Sequence, residues 1–290
     1  MIQSAIESVL LPLSCAVAIL LMPRRPWSTE STQHEESWSG SLAVAVLVIL
    51  TLLMLEGTGF TSLAQRWHWI SVTAFIIGIG GLFESGRHGT TINSAAIVLG
   101  VLVLRIPAFD SLTERVALAL LALVGASIIR PLMLRDPVRT PSAIAASCAS
   151  LSVVMLAAGS LKFALVAAAL ATLCTVAALL ACVSRTFSAG RSLAIGAVTF
   201  SLTLALCGYG YHSESGVALS IFAALWIAPF LLAIPLAGRS ARRATVTLTL
   251  ITLLCAGAAA RALYAIEQAE ALDQDSSSYT SNTEGQSNES

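Results

Sequence analysis

Residues 163–183, FALVAAALATLCTVAALLACV, run for 21 positions without one charged side chain. A helix rises about 1.5 Å per residue, so roughly 20 such residues match the ~30 Å hydrocarbon core of a bilayer. A helix that is apolar on every face has no side to give to water, and stretches of this kind recur along nearly the whole chain. Composition agrees: 56% of the residues are hydrophobic and 11% charged, with a mean hydropathy of +0.83. Soluble domains carry about 25% charged residues. A transmembrane barrel is excluded because its strands alternate apolar and polar residues over about ten positions, and no such alternation is present.

Apolar runs set against breakers give ten segments: 3–22, 41–56, 69–84, 91–106, 115–130, 142–160, 163–183, 192–211, 216–237 and 246–265. The separators, among them RIPAFDS, RPLMLRDPVRTP and AGRSARR, concentrate Pro, Gly, Ser and charge as helix ends do. The 160/163 break rests only on Gly159, Ser160 and Lys162, but without it one helix would be about 60 Å long, twice the bilayer core. The expected fold class is therefore all-α, a polytopic transmembrane helix bundle of about ten spans with no soluble domain. Residues 1–265 form the membrane domain. Residues 266–290 are acidic, Ser-rich and poor in bulky apolar side chains, and read as a disordered tail.

At the N-terminus the positive charges of MPRRP follow the apolar run instead of preceding it, so the segment reads as a retained span and not as a cleaved signal. Positive charge then orients the set. Loops after odd-numbered segments hold Arg24, Arg25, Arg87, Arg130, Arg135, Arg139, Arg185, Arg191, Arg239, Arg242 and Arg243; the other side holds Arg66, Arg105, Arg115, Lys162 and Arg261. The odd loops are expected in the cytoplasm and both termini outside, in a cell inner membrane.

Sixteen Lys plus Arg balance sixteen Asp plus Glu, which gives no surface for nucleic acid. The expected partners are the lipid bilayer, a small-molecule substrate and other membrane subunits. The six cysteines stand singly inside apolar runs, with no C-x-x-C pair and no His at ligand spacing, so no metal and no cofactor is expected. H-E-x-x-H, G-x-S-x-G and the phosphate-binding loop are all missing, so no catalytic residue is assigned. LCGYGYHS at 206–213 shares Gly-Tyr-Gly with potassium filters, yet Cys207 stands where the filter has Val; Tyr209 and Tyr211 read as interfacial anchors.

Two places carry a candidate transport path. The first is Gly78, Gly80 and Gly81 followed by Glu84, Arg87 and His88, where glycines permit close helix approach beside a knot of charge. The second is Trp226 and Pro229, since Pro removes a backbone donor and frees a carbonyl inside a span. A path between spans 3 and 9 would join them, with Ser71, Thr73 and Ser220 supplying hydroxyls. No span holds a charged residue near its middle, which disfavours ion-coupled chemistry and points to a neutral or zwitterionic substrate. The leading function is a small-solute permease. The alternatives are a non-catalytic subunit or scaffold of a larger membrane complex, and a membrane-embedded enzyme. Spans 7 and 10, rich in Ala, Gly and Cys, are expected to pack on each other. Ten spans also invite an architectural comparison with drug/metabolite-type transporters, which are built from two inverted five-helix halves; no residue matches relate the halves of this chain, so no family is assigned.

Overall fold

The structure is a computed structural model that describes residues 2–21, 39–57, 65–83, 88–183, 190–211, 217–233 and 241–286. Its helices are α1 (Ile2–Leu20), α2 (Ser39–Glu56), α3 (Trp69–Leu82), α4 (Gly89–Val103), α5 (Leu112–Arg135), α6 (Arg139–Ala157), α7 (Leu161–Val183), α8 (Gly190–Tyr211), α9 (Leu219–Ile227) and α10 (Ala241–Gln286). Short 3₁₀ segments, Arg66–His68 and Ala228–Ala233, precede α3 and follow α9. No strand occurs among the described residues.

Helix ends follow local chemistry. The Ser111 hydroxyl accepts the backbone N–H of Glu114 while the Glu114 carboxylate accepts that of Ser111, a reciprocal cap that starts α5. Between α6 and α7, Gly159 takes φ +87°. Its N–H bonds the Leu156 carbonyl and that of Ser160 the Met155 carbonyl, a Schellman turn that requires a residue free to enter the left-handed region. The 160/163 break is therefore real. The end expected at residue 130 is not: α5 continues through Pro131 to Arg135, because a proline removes only one donor and the rest of the ladder survives. Asp136 then accepts both the backbone N–H and the guanidinium of Arg139, at 3.1 and 2.8 Å, and turns the chain into α6.

Length separates the ten helices among the described residues. Six stretches, Ser39–Glu56, Leu112–Arg135, Arg139–Ala157, Leu161–Val183, Ser192–Tyr211 and Thr245–Gln268, are long and apolar enough to cross a membrane. The chain is thus a helical membrane bundle with six such helices among the described residues, fewer than the ten expected. The apolar part of α1, Val9–Leu20, and α4 and Leu219–Ala233 are shorter. So is α3, whose 14 residues rise about 21 Å. Periodicity could not foresee this, since breakers mark where a helix stops and not how much of it is regular α-helix.

α8 is the axis of the bundle, packed against α2, α5 and α9 and also touching α3, α6 and α7. Of its Ser192–Tyr211 stretch, 89% is buried inside the protein, against 22% for the stretch in α10. Neighbours in sequence are also neighbours in space, with α6 and α7 forming the most extensive hairpin. The expected pairing of helices 7 and 10 is not what forms. α7 lies on α6, α2, α1 and α8, whereas α10 lies on α6, α9 and the 3₁₀ segment after α9. Small residues license close approach without choosing the partner, and Gly257 of α10 has nothing within 4 Å of where a Cβ would stand. The backbone of α10 stays helical to Gln286, across the segment that composition assigns to a tail.

Candidate functional site

Gly78, Gly80 and Gly81 are buried contact points between helices. A Cβ on Gly78 would stand 2.6 Å from that of Ala45, one on Gly81 would overlap the Ser41 side chain, and one on Gly80 would overlap Ala96 of α4. Ser41 also donates to the Ser192 carbonyl at 2.5 Å, and Gly196 packs on its Cα, so α2, α3 and α8 meet around this one serine. Ala45, Ala96 and Ser41 thus occupy the space that side chains at these three positions would take. Glu84 and Arg87 lie outside the described residues, and His88 is exposed just before α4.

Pro229 does break its helix: α9 ends at Ile227 and the chain continues as a 3₁₀ segment. The carbonyl that loses its donor is that of Leu225, four residues earlier, and the Ser147 hydroxyl of α6 fills it at 2.6 Å. Trp226 is 6% exposed. Its indole N–H donates to the Val198 carbonyl of α8 at 3.2 Å, and its ring stands 4.9 Å from Phe230, edge-on. Gly125 of α5 makes room for that ring, since a Cβ there would come within 2.8 Å of it. The two halves of the expected path are not brought together: α3 and α9 each touch α8, but no extensive contact joins α3 to α9 among the described residues. Ser71 and Thr73 are committed as well, donating to the carbonyls of His68 and Gly100, while Ser220 is exposed.

What the structure gathers instead is a line of hydroxyls on α8. Ser192, Thr199, Ser201 and Thr203 are all buried. Ser192, Gly196, Thr199 and Thr203 recur at helical spacing, so they share the face that meets α2 at Ser41 and Val44. Ser201 and Thr203 donate back to the carbonyls of Val198 and Thr199. Thr199 is fully buried, and its hydroxyl has no hydrogen-bond partner. It sits near the middle of α8, at the depth where a path must be polar if it is to pass a polar solute. Hydroxyls scattered through an apolar run are weak signals in sequence, and only the burial of α8 on nearly all sides makes them notable.

A second gathering lies where α2, α4, α6 and α8 end and α3, α5, α7 and α9 begin. Lys162 pairs with Glu56 across α7 and α2 and stands 4.9 Å over the Trp67 ring. Asp110 takes Arg66 at 2.9 Å and Arg115 at 3.2 Å. Arg105 covers the Trp69 ring at 4.8 Å, and its carbonyl accepts the Tyr211 hydroxyl. His68 is 3% exposed, edge-on to Trp67 at 4.2 Å, and neither ring nitrogen has a hydrogen-bond partner. Sequence reasoning missed this cluster because Glu56 and Lys162 are far apart along the chain and each is ordinary at a helix end. Tyr209 and Tyr211 belong to it; both are helical, so Gly208–Tyr209–Gly210 forms no filter loop.

No group of His, Cys, Asp and Glu able to hold a metal occurs among the described residues. No family model matches this chain, and neither a curated protein nor a solved structure matches it.

Proposed function

We propose that this chain is a multi-pass permease for a small neutral or zwitterionic solute, with the buried hydroxyl face of α8 as its path. The observation that carries the reading is Thr199. Its hydroxyl is fully buried without a partner near the middle of the helix that the rest of the bundle surrounds, as a site for a neutral polar group requires; Thr140 is buried in the same way but lies in the first turn of α6. Among the described residues no Asp, Glu, Lys or Arg is buried, and an ionic solute would need a compensating charge or several converging dipoles in that interior.

The reading takes all ten helices across the membrane. Arg66–His68 lengthens α3 and Ala228–Ala233 lengthens α9, and tilt or local thinning of the bilayer accommodates what remains short. With the cytoplasm on the Arg-rich side, in a cell inner membrane, both termini and the Lys162 cluster face outward. Reconstitution into liposomes with a panel of neutral, zwitterionic and multiply charged solutes tests it. Saturable flux of a neutral or zwitterionic solute is expected, and Thr199→Val should lower it roughly tenfold, the worth of about one hydrogen bond. Flux confined to multiply charged anions overturns it.

A scaffold role is favoured by one feature, the broad apolar flanks of α5 and α10, where Leu120, Val124, Leu250 and Leu253 are more than half exposed. Weighing the mildly solubilised complex separates the readings, because a scaffold must travel with other subunits.

A further inference from the structure

We propose that the Lys162 cluster is the gate at one end of the α8 path, held closed by ion pairs between helices above a layer of aromatic rings. This rests on the permease reading. The outer layer is the pair Glu56–Lys162, which ties α2 to α7, and the triad Arg66–Asp110–Arg115, which ties the 3₁₀ turn before α3 to the start of α5. Lys162 joins the two by lying over Trp67, next to Arg66.

Beneath the charges the rings close the end of α8. Phe109 and Tyr209 are 6.2 Å apart, Tyr209 and Phe222 are 6.4 Å apart, and Phe163 and Tyr211 are 5.7 Å apart. These rings come from the α4–α5 connection, α7, α8 and α9. Gly210 lets the layer seat closely, since a Cβ there would overlap Ile106. One turn below Tyr211 on α8 is Cys207, fully buried.

The chemistry suits opening and closing. Most of these ionic side chains are about a quarter to a half exposed, and pairs of that kind are individually weak and exchange readily with water. His68, shut in beneath Trp67 with two unpartnered nitrogens, gains water when the cluster parts, which raises the closed state and brings it nearer to the open one.

Cys207 supplies a reporter that does not depend on transport. In a chain with Cys15, Cys148, Cys174, Cys182 and Cys255 changed to Ala, a membrane-impermeant maleimide is added separately to each side of reconstituted vesicles. Cys207 should be protected in this background. Glu56→Gln with Asp110→Asn, which removes both acidic anchors, should raise its labelling rate roughly tenfold from one side only. Lys162→Met with Arg66→Gln should do the same and serves where the first variant does not assemble. Unchanged labelling in an assembled variant overturns the gate, as does equal labelling from both sides. Failure of both variants to assemble overturns it too, since a gate must be separable from folding. One-sided labelling with no solute flux in the parent would keep the gate and sink the permease; flux with Cys207 protected throughout would do the reverse.

Discussion

Ser147 of α6 donates its hydroxyl, at 2.6 Å, to the Leu225 carbonyl of α9, the carbonyl that Pro229 leaves without its helical donor. Neither residue is explained alone. The proline frees an acceptor in the interior, and the serine, remote in sequence, satisfies it, so the break in α9 is a packing device and not an open ligand site.

A double-mutant cycle reads this coupling. Ser147→Ala strands a buried carbonyl and should cost about 1–3 kcal/mol in detergent unfolding. Pro229→Ala restores a backbone N–H within reach of Leu225, so the double variant should lose less than the sum of the singles. Strict additivity would show that Ser147 and the proline act independently.

The glycines of α3 and α10 predict opposite outcomes for one substitution. Gly81→Ala drives a methyl into Ser41 where α2, α3 and α8 meet, and should lower the Tm sharply, by the 1–3 kcal/mol of an overpacked core or more. Gly257→Ala enters open space on a helix and should stabilise by about 0.5–1 kcal/mol. Equal effects at the two sites would contradict the packing. Loss of flux on enlarging Gly80, which faces Ala96, reports this packing before it reports any path.

Gly159→Ala tests the α6–α7 turn. At φ +87° an alanine meets the steric penalty of the left-handed region, about 1–2 kcal/mol, with no packing clash to add because nothing lies within 4 Å. The α6–α7 hairpin should survive with a lowered Tm; an unchanged Tm would mean the turn takes another form.

Helix positions were legible because breakers are local. Gly159 takes the left-handed turn that closes α6, and Pro229 ends α9, whereas Pro131 leaves α5 unbroken, so a breaker marks a possible end that packing then uses or overrides. Partners were not legible. A helix such as α7, apolar on all sides, carries no phase that says which face turns inward, so the pairing of α7 with α6 and not α10 comes from shape met only in three dimensions. The same holds for Ser41 with Ser192, 151 residues apart, and for Glu56 with Lys162. Gly78, Gly80, Gly81 and Trp226, candidates for a path in the sequence, are points of close packing in the fold. The buried hydroxyls of α8 were not legible as a group, because single Ser and Thr residues in an apolar run carry no sign of burial on nearly all sides.

Two threonines, changed in the same way, separate structure from function. Thr73 on α3 donates to the Gly100 carbonyl at 2.8 Å. That carbonyl lies in the last turn of α4, where the Leu104 N–H has turned to Val101 and left Gly100 without its own helical donor. Thr73→Val therefore strands a buried acceptor and should cost about 1–3 kcal/mol. Thr199, equally buried, bonds to nothing, so Thr199→Val removes an orphaned polar group while keeping its shape, and stability should hold or rise by about 1 kcal/mol. Flux should follow the opposite order: at equal amounts of folded protein, Thr73→Val transports nearly as the parent does, and Thr199→Val is the impaired one. A Thr199→Val protein that unfolds early would show that its hydroxyl serves the fold; one that is stable and transports normally would remove Thr199 from the path.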